Sequence, residues 1–213
     1  MEKDRRETLK AGIETLGLSV PAGVQERMLA YLDLMARWNR VFNLTSRRDT
    51  GDWVARHLLD SVAVLPYING VRVIDVGSGA GVPGVPLALA DGALRVTLLD
   101  GNAKKTRFMT QAAIDLQLAN VEVVAQRAEH YHPSALFDCA ISRAFATIGD
   151  FVDAAAHLVA PEGKMLAMKG AYPVDELDRL PAGFAIEAVH VLAVPHLAAQ
   201  RHLVVIVRST VAP

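Results

Sequence analysis

Val73-Ile74-Asp75-Val76-Gly77-Ser78-Gly79-Ala80-Gly81 decides how this chain folds. A short apolar run ends in an acid and breaks into a glycine-rich turn, the pattern of a strand feeding a loop and then a helix. A second apolar run, Arg95-Val96-Thr97-Leu98-Leu99, ends in another acid, Asp100. Glycines let the backbone take positive φ and approach a ligand closely. An acid at the end of the second strand is placed to accept both hydroxyls of a ribose. Two parallel strands that end this way form a nucleoside pocket.

Outward from this point the same texture repeats. Apolar runs of strand length lie near 71–76, 95–99, 121–124, 136–141, 164–168, 184–193 and 202–207. Helical patterns at 83–90, 103–117, 127–131 and 149–158 separate the first five. Alternation of strand and helix predicts a parallel sheet with helices on both faces. Only Pro195–Arg201 separates the last two runs, which is too short for a helical crossover, so they are expected to pair as an antiparallel hairpin. A seven-stranded Rossmann-like α/β sheet closed by such a hairpin is the outline of the class I S-adenosylmethionine (AdoMet)-dependent methyltransferases. Residues 1–65 have another character. Val24, Met28, Tyr31, Leu32 and Met35 make one apolar helix face, and Pro21 suits that helix's first turn. A polar, Arg-rich segment runs from Arg37 to Asp52, and Val54, Leu58, Leu59, Val62 and Leu65 predict an amphipathic helix that stops at Pro66. The expected organisation is an N-terminal helical extension, 1–65, packed on an AdoMet-binding domain, 66–213.

The glycine loop separates two nucleotide-binding designs. Gly79-Ala80-Gly81-Val82-Pro83-Gly84 formally matches G-x-G-x-x-G, which alone is a weak signal. In the dinucleotide fold the first glycine follows the strand directly and the third lets helix and strand pack closely. Counted from Gly77, the third position here is Val82. Asp-x-Gly-x-Gly-x-Gly, with Asp100 after the next strand, is instead the methyltransferase arrangement. It assigns Asp75, Gly77, Gly79, Gly81 and Asp100 to an AdoMet site.

The chain has 213 residues, 52% of them hydrophobic, enough for one buried domain and a small extension. A formal net charge of −1 supplies no global attraction to nucleic acid or membrane. Any RNA contact therefore needs a local basic face. Cys139 is the single cysteine, which excludes an internal disulfide and a cysteine-based zinc cluster. The charged N-terminus lacks a signal-like apolar core and no run reaches transmembrane length. A soluble cytoplasmic protein, monomeric and without metal, is expected.

Further motifs narrow the family. Trp38-Asn39-Arg40-Val41-Phe42-Asn43-Leu44-Thr45-Ser46, Arg56-His57-Leu58-Leu59-Asp60-Ser61 and Asp75 through Gly84 occur in order. Lys104-Lys105-Thr106-Arg107-Phe108, Ile141-Ser142-Arg143-Ala144-Phe145-Ala146, Met168-Lys169-Gly170, and Pro195 with Arg201-His202-Leu203-Val204-Val205 follow. On these motifs the chain resembles the bacterial small-subunit ribosomal RNA guanine-N7 methyltransferases, the RsmG or GidB family. The resemblance implies a class I sheet with an N-terminal helical extension. It also implies methyl transfer from AdoMet to N7 of a guanine in small-subunit (16S) ribosomal RNA, naked or within a ribosomal particle. By the same resemblance Gly77, Val82, Ala128, Glu129 and Arg143 fall at cofactor-contacting positions.

Guanine N7 carries an in-plane lone pair and no proton, so a direct in-line attack requires no general base. Orientation alone recovers on the order of 7–11 kcal/mol of barrier. Neighbouring chemistries lack their residues. Amino-group methylation uses an Asn/Asp-Pro-Pro-aromatic turn after the fourth strand, where this chain has Ser142-Arg143-Ala144-Phe145. Cytosine C5 methylation needs a nucleophilic cysteine, whereas Cys139 sits inside an apolar strand and reads as core filler.

Arg143, at the end of the fourth strand, is the candidate for positioning cofactor and guanine. Lys169 ends the fifth strand at the same edge, as a substrate contact or as a salt-bridged or solvated lysine. Phe145 is placed to stack on a base or to fill the core. Arg37, Arg40, Arg47, Arg48 and Arg56 cluster in the extension against Asp49 and Asp52. With Arg127, Arg143, Lys169 and Arg201 they compose a positive rim or an ordinary solvated face, and the resemblance favours RNA contact. The catalytic candidates are Arg143, Lys169 and Arg201. The RNA-binding candidates are Asn43, Arg47, Arg48, His57, Arg127, Lys169 and Arg201. Three other readings compete: a small-molecule methyltransferase, an AdoMet-binding regulatory module without turnover, and an NAD-linked oxidoreductase.

Overall fold

The computed structural model describes residues 2–42, 44, 53–143 and 145–209. Two helices open the chain, α1 (Glu2–Thr15) and α2 (Ala22–Phe42). A π-helical stretch, Val54–Leu59, runs directly into α3 (Asp60–Val62). The sheet region then alternates β1 (Arg72–Val76), α4 (Gly84–Ala90), β2 (Arg95–Leu99), α5 (Ala103–Asp115), β3 (Val121–Val124), β4 (Phe137–Ser142), α6 (Ile148–Ala155) and β5 (Val159–Lys169). A short α7 (Val174–Leu177) and the pair β6 (Phe184–Val191) and β7 (His202–Arg208) complete it.

The seven strands lie in the order β3-β2-β1-β4-β5-β7-β6. Strands β1 to β5 pair in parallel, and β7 enters antiparallel between β5 and β6. The expected hairpin is therefore present, with β7 inserted against β5. Parallel strands are buried on both faces, so successive residues feed opposite cores. Val73 and Cys139 join the core shared with α1, α2, α4 and α5, while Ile74 and Ala140 join the core under α6.

Three sequence expectations change. The polar segment expected from Arg37 is helical as far as Phe42. Trp38 continues the apolar face of α2, with its ring 5.6 Å from Phe108 and 5.1 Å from Phe42, while Arg37 and Arg40 point outward. The helix expected to be amphipathic over 54–65 is buried nearly all round, and its helical turns end at Val62 before a separate 3-10 turn, Leu65–Tyr67. Its outer side is covered by α1, where Gly12 permits the approach: a Cβ there would lie 2.3 Å from Leu59 Cδ1. Strand β5 begins at Val159, before the Pro161-Glu162-Gly163 sequence that imitates a turn. The extra length is absorbed as an irregularity opposite Phe137–Cys139.

Helix α2 also reaches the glycine loop. Tyr31, fully buried, donates its hydroxyl hydrogen to the Ala80 carbonyl. Burial pushes its phenol far above the usual range, so it remains a donor. Tyr31→Phe leaves that buried carbonyl without its partner and is expected to cost about 1–2 kcal/mol of stability. AdoMet affinity should fall a few-fold with it. Urea unfolding and calorimetric titration check both, and wild-type values in both would show that α2 does not support the loop.

Candidate active site

The loop after β1 is built around the Asp75 carboxylate. Its Oδ2 accepts from Ser78 Oγ at 2.5 Å and from the Gly84 N–H at 2.9 Å, tying the loop to the first residue of α4. Gly84 must be glycine, because a Cβ would lie 2.2 Å from Leu98 Cδ2 and 2.8 Å from Asp75 Oδ2. Gly77, Gly79 and Gly81 take φ of 70°, 63° and 84°, values that disfavour any side chain. Around a Cβ at Gly79 nothing comes closer than 3.9 Å, so the loop leaves open space there. Val82 is buried in the same loop, its N–H on the Ser78 carbonyl at 3.1 Å.

Asp100 closes the other side. Its Oδ2 accepts from the Gly79 N–H and its Oδ1 from the Asn102 N–H, each at 2.8 Å, with Lys105 Nζ 3.7 Å away. Each oxygen keeps acceptor capacity beyond those bonds. Asn102 in turn caps α5 by accepting from the Lys104 and Lys105 N–H groups. Asn immediately before a helical run is an N-cap signal, and that is the role of Asn102 between Asp100 and α5. Asp100, Gly101, Asn102, Arg127, Ala128, Glu129 and Phe145 line a cavity of about 440 Å³ at the carboxyl ends of β2 and β3.

That cavity continues along the sheet edge. Phe145 also lines a neighbouring cavity of about 530 Å³, which shares Arg143, Met168, Lys169 and Gly170 with a third of about 310 Å³. The third is walled by Arg56, His57, Asp60, Arg143, Lys169 and Arg201. A separate cavity of about 590 Å³ surrounds Arg72, Arg95 and Phe137 at the opposite, amino ends of the strands. Ligands of open α/β sheets sit at the carboxyl ends, which makes the cleft through Phe145 the candidate site.

Arg143 and Arg201 meet in the third cavity on a carboxylate that sequence reading passed over. Asp60, wholly buried on α3, takes Arg143 Nη1 at 3.2 Å on Oδ2 and Arg201 Nε at 3.0 Å on Oδ1. Arg143 Nη1 also donates to the Arg56 carbonyl at 2.9 Å, and Arg201 Nη1 to that of Gln200 at 2.8 Å. Lys169 has the salt-bridged form that sequence alone left open. Its Nζ lies 2.8 Å from Glu176 Oε2 and 3.1 Å from the Ala146 carbonyl. His57 is 2% exposed, with its ring edge-on to Trp53. Phe145 packs 5.4 Å from Phe151, the core-filling reading, and also lines the cleft. Arg127 and Glu129 are exposed in the first cavity. Asn43, Arg47 and Arg48 lie outside the described residues. Cys139 is fully buried and its thiol is pushed up to about 12 by desolvation, a chemically quiet group.

Several features fit AdoMet. One buried oxygen of Asp75, Oδ1, has no hydrogen-bond partner among the described residues. The space at Gly79 opens beside the Asp100 carboxylate. The exposed polar groups of Arg127 and Glu129 face a cavity of nucleoside size. Fold and cleft together define a class I AdoMet-dependent methyltransferase. Among solved structures, TrmN from Thermus thermophilus superposes with a TM-score of 0.56 at 19% identity, covering 73% of this chain and 48% of that one. The ribosomal protein L11 methylase from Lactobacillus delbrueckii subsp. bulgaricus gives 0.55 at 14% identity, over 71% and 77%. At such identities these likenesses speak for the fold alone. The family model for rRNA small subunit methyltransferase G, GidB, matches residues 24–204, and the chain belongs to that family. Ribosomal RNA small subunit methyltransferase G of Aromatoleum aromaticum is 51% identical over 95% of this chain and 98% of its own length. Its counterpart in Nitrosococcus oceani is 48% identical over 92% of each. No helix among the described residues is long and apolar enough to cross a membrane.

Proposed function

We propose that this chain transfers the methyl group of AdoMet to N7 of a guanine in small-subunit ribosomal RNA. The observation that carries the reading is the arrangement of the cleft. A nucleoside-sized cavity ending in Asp100 and Glu129 runs past Phe145 into a cavity whose wall carries Arg56, Arg143, Lys169 and Arg201. AdoMet, when bound, supplies an electrophilic methyl on a sulfonium.

The chain's own residues bind and orient. Asp100, Ala128 and Glu129, with the loop from Gly77 to Val82, hold the cofactor side, and Asp75 keeps that loop in shape. Arg143 and Arg201 stand where the acceptor base and its phosphates enter, and Phe145 offers a ring face between the two cavities. N7 has no proton to lose, so these groups need only align the reactants and exclude water. His57 and Lys169 act as positioning groups, and Arg127, Asn43, Arg47 and Arg48 serve in RNA binding. Residues 1–65 serve as a helical extension of the AdoMet-binding domain, 66–213, in a cytoplasmic monomer. The cationic wall favours RNA over an uncharged small-molecule acceptor.

Labelled AdoMet and small-subunit RNA from a strain lacking the homologue test the reading, with the RNA offered both naked and as the assembled subunit. The expected product is 7-methylguanosine at one position. Cofactor binding without label transfer to either substrate would favour a non-catalytic module and end the proposal.

A further inference from the structure

The proposed function leaves unexplained why a wholly buried carboxylate stands between the two arginines that face the acceptor cavity. Asp60 belongs to the N-terminal helices, Arg143 follows β4 and Arg201 precedes β7, so three separate parts of the chain converge on one side chain. Burial of a carboxylate is costly unless its charge is matched, and here both oxygens are used, one by each arginine. The arginines remain 28% and 20% exposed in their side chains and line the cavity, so their forks are held from behind while part of each faces the opening. A guanidinium has five N–H donors in a rigid plane, and a fixed plane gives the free donors a fixed direction.

Resting on the reading above, we propose that Asp60 is the positioning and specificity residue of the acceptor site: it locks Arg143 and Arg201 as a pair that presents donors to guanine O6 and a flanking phosphate. The chemistry sets what the pair must do. N7 has to keep its lone pair for the methyl, so recognition cannot use it as an acceptor. O6 is the neighbouring acceptor on the same edge, and adenine carries an amino donor there instead. An arginine donor aimed at O6 therefore selects guanine while leaving N7 free. Without Asp60 the pair keeps its positive charge and loses its direction. Removing a carboxylate from a cationic cavity makes the cavity more positive, so RNA binding should not weaken although turnover falls. A residue that only supports the fold would predict losses in all properties together.

Asp60→Asn in the full-length protein is the test, with kcat, RNA Kd and AdoMet Kd measured on the same preparation. The expected result is a kcat at least about 10-fold lower, an RNA Kd unchanged or tighter, and an AdoMet Kd within about twofold of wild type. In an R201K background the same substitution should cost much less, because its effect passes through Arg201. Wild-type kcat, a parallel loss of AdoMet affinity, or an equal cost in both backgrounds would overturn the proposal. If D60N does not fold, R143K and R201K are combined, and a loss equal to the product of the single losses overturns it. If the wild-type protein methylates no RNA, it is the proposed function that fails. If it methylates guanine and D60N does so equally well, only the role of Asp60 fails.

Discussion

Asp100→Ala is expected to weaken AdoMet binding by about 100-fold or more while leaving a folded protein. The carboxylate ends β2 at the bottom of the first cavity, 8% exposed, with its oxygens turned toward the Gly79 and Asn102 N–H groups. A ribose presents two hydroxyls to such an acid, and hydrogen bonds to a charged acceptor contribute about 1.5–3 kcal/mol each. Loss of both removes about 3–6 kcal/mol, and each 1.4 kcal/mol is about tenfold in Kd. The variant also frees the Gly79 N–H, which loosens the loop on its cofactor side. Asp100→Asn retains one acceptor oxygen and should fall between Ala and wild type. Calorimetric titration with AdoMet reads the affinity and urea unfolding reads the fold. A Kd within about threefold of wild type for the Ala variant would remove Asp100 from the cofactor site.

The parts of this molecule that were legible in the sequence are those fixed by local rules. Strands buried on both faces are near-continuous apolar runs, so β1, β2 and β4 lie within a residue or so of where the sequence put them, as does the half-buried edge strand β3. The glycine loop announced itself because positive φ restricts residue choice. The same local rules failed where the sequence imitates something else. Pro161-Glu162-Gly163 resembles a turn and is part of β5. The stretch Val54–Val62 has enough polar residues to look amphipathic, yet His57, Asp60 and Ser61 are all buried. Asp60 lay inside a quoted motif with no role, because its partners stand 83 and 141 positions away in the chain. Pairing across such distances leaves no periodicity to detect. Glu176 holds both Lys169 and the Ile148 N–H from a loop-borne short helix, with no periodic pattern to mark the pairing. The glycine loop and its two acids, Asp75 and Asp100, were thus readable from spacing, while the bracing pairings of Asp60 and Glu176 were not.

That bracing has a counterpart at Asp75, where the expected effect is on pH-dependent stability. Burial raises its carboxyl from 3.8 to about 6, against the opposing pull of the Ser78 and Gly84 hydrogen bonds. Only Oδ2 has those donors, and Oδ1 is buried without a partner among the described residues. Below about pH 3 the group is protonated in folded and unfolded chains alike, and there is no difference between them. As pH rises toward 6 the unfolded chain releases its proton first, so the folded state binds more protons and is progressively destabilised. The loss amounts to about 3 kcal/mol once pH exceeds about 6. Asp75→Asn cannot ionise. Its stability relative to wild type should therefore improve by about 3 kcal/mol between pH 3 and pH 7, whatever the offset at pH 3. Urea unfolding of the cofactor-free proteins across that range measures the difference, and a constant offset would show that Asp75 does not titrate in the fold. AdoMet carries a sulfonium, and a nearby cation favours the ionised carboxylate. Saturating cofactor should shrink the pH-dependent loss in wild type and leave the Asn variant's pH profile unchanged, which links a destabilising buried charge to the ligand that its loop is built to hold.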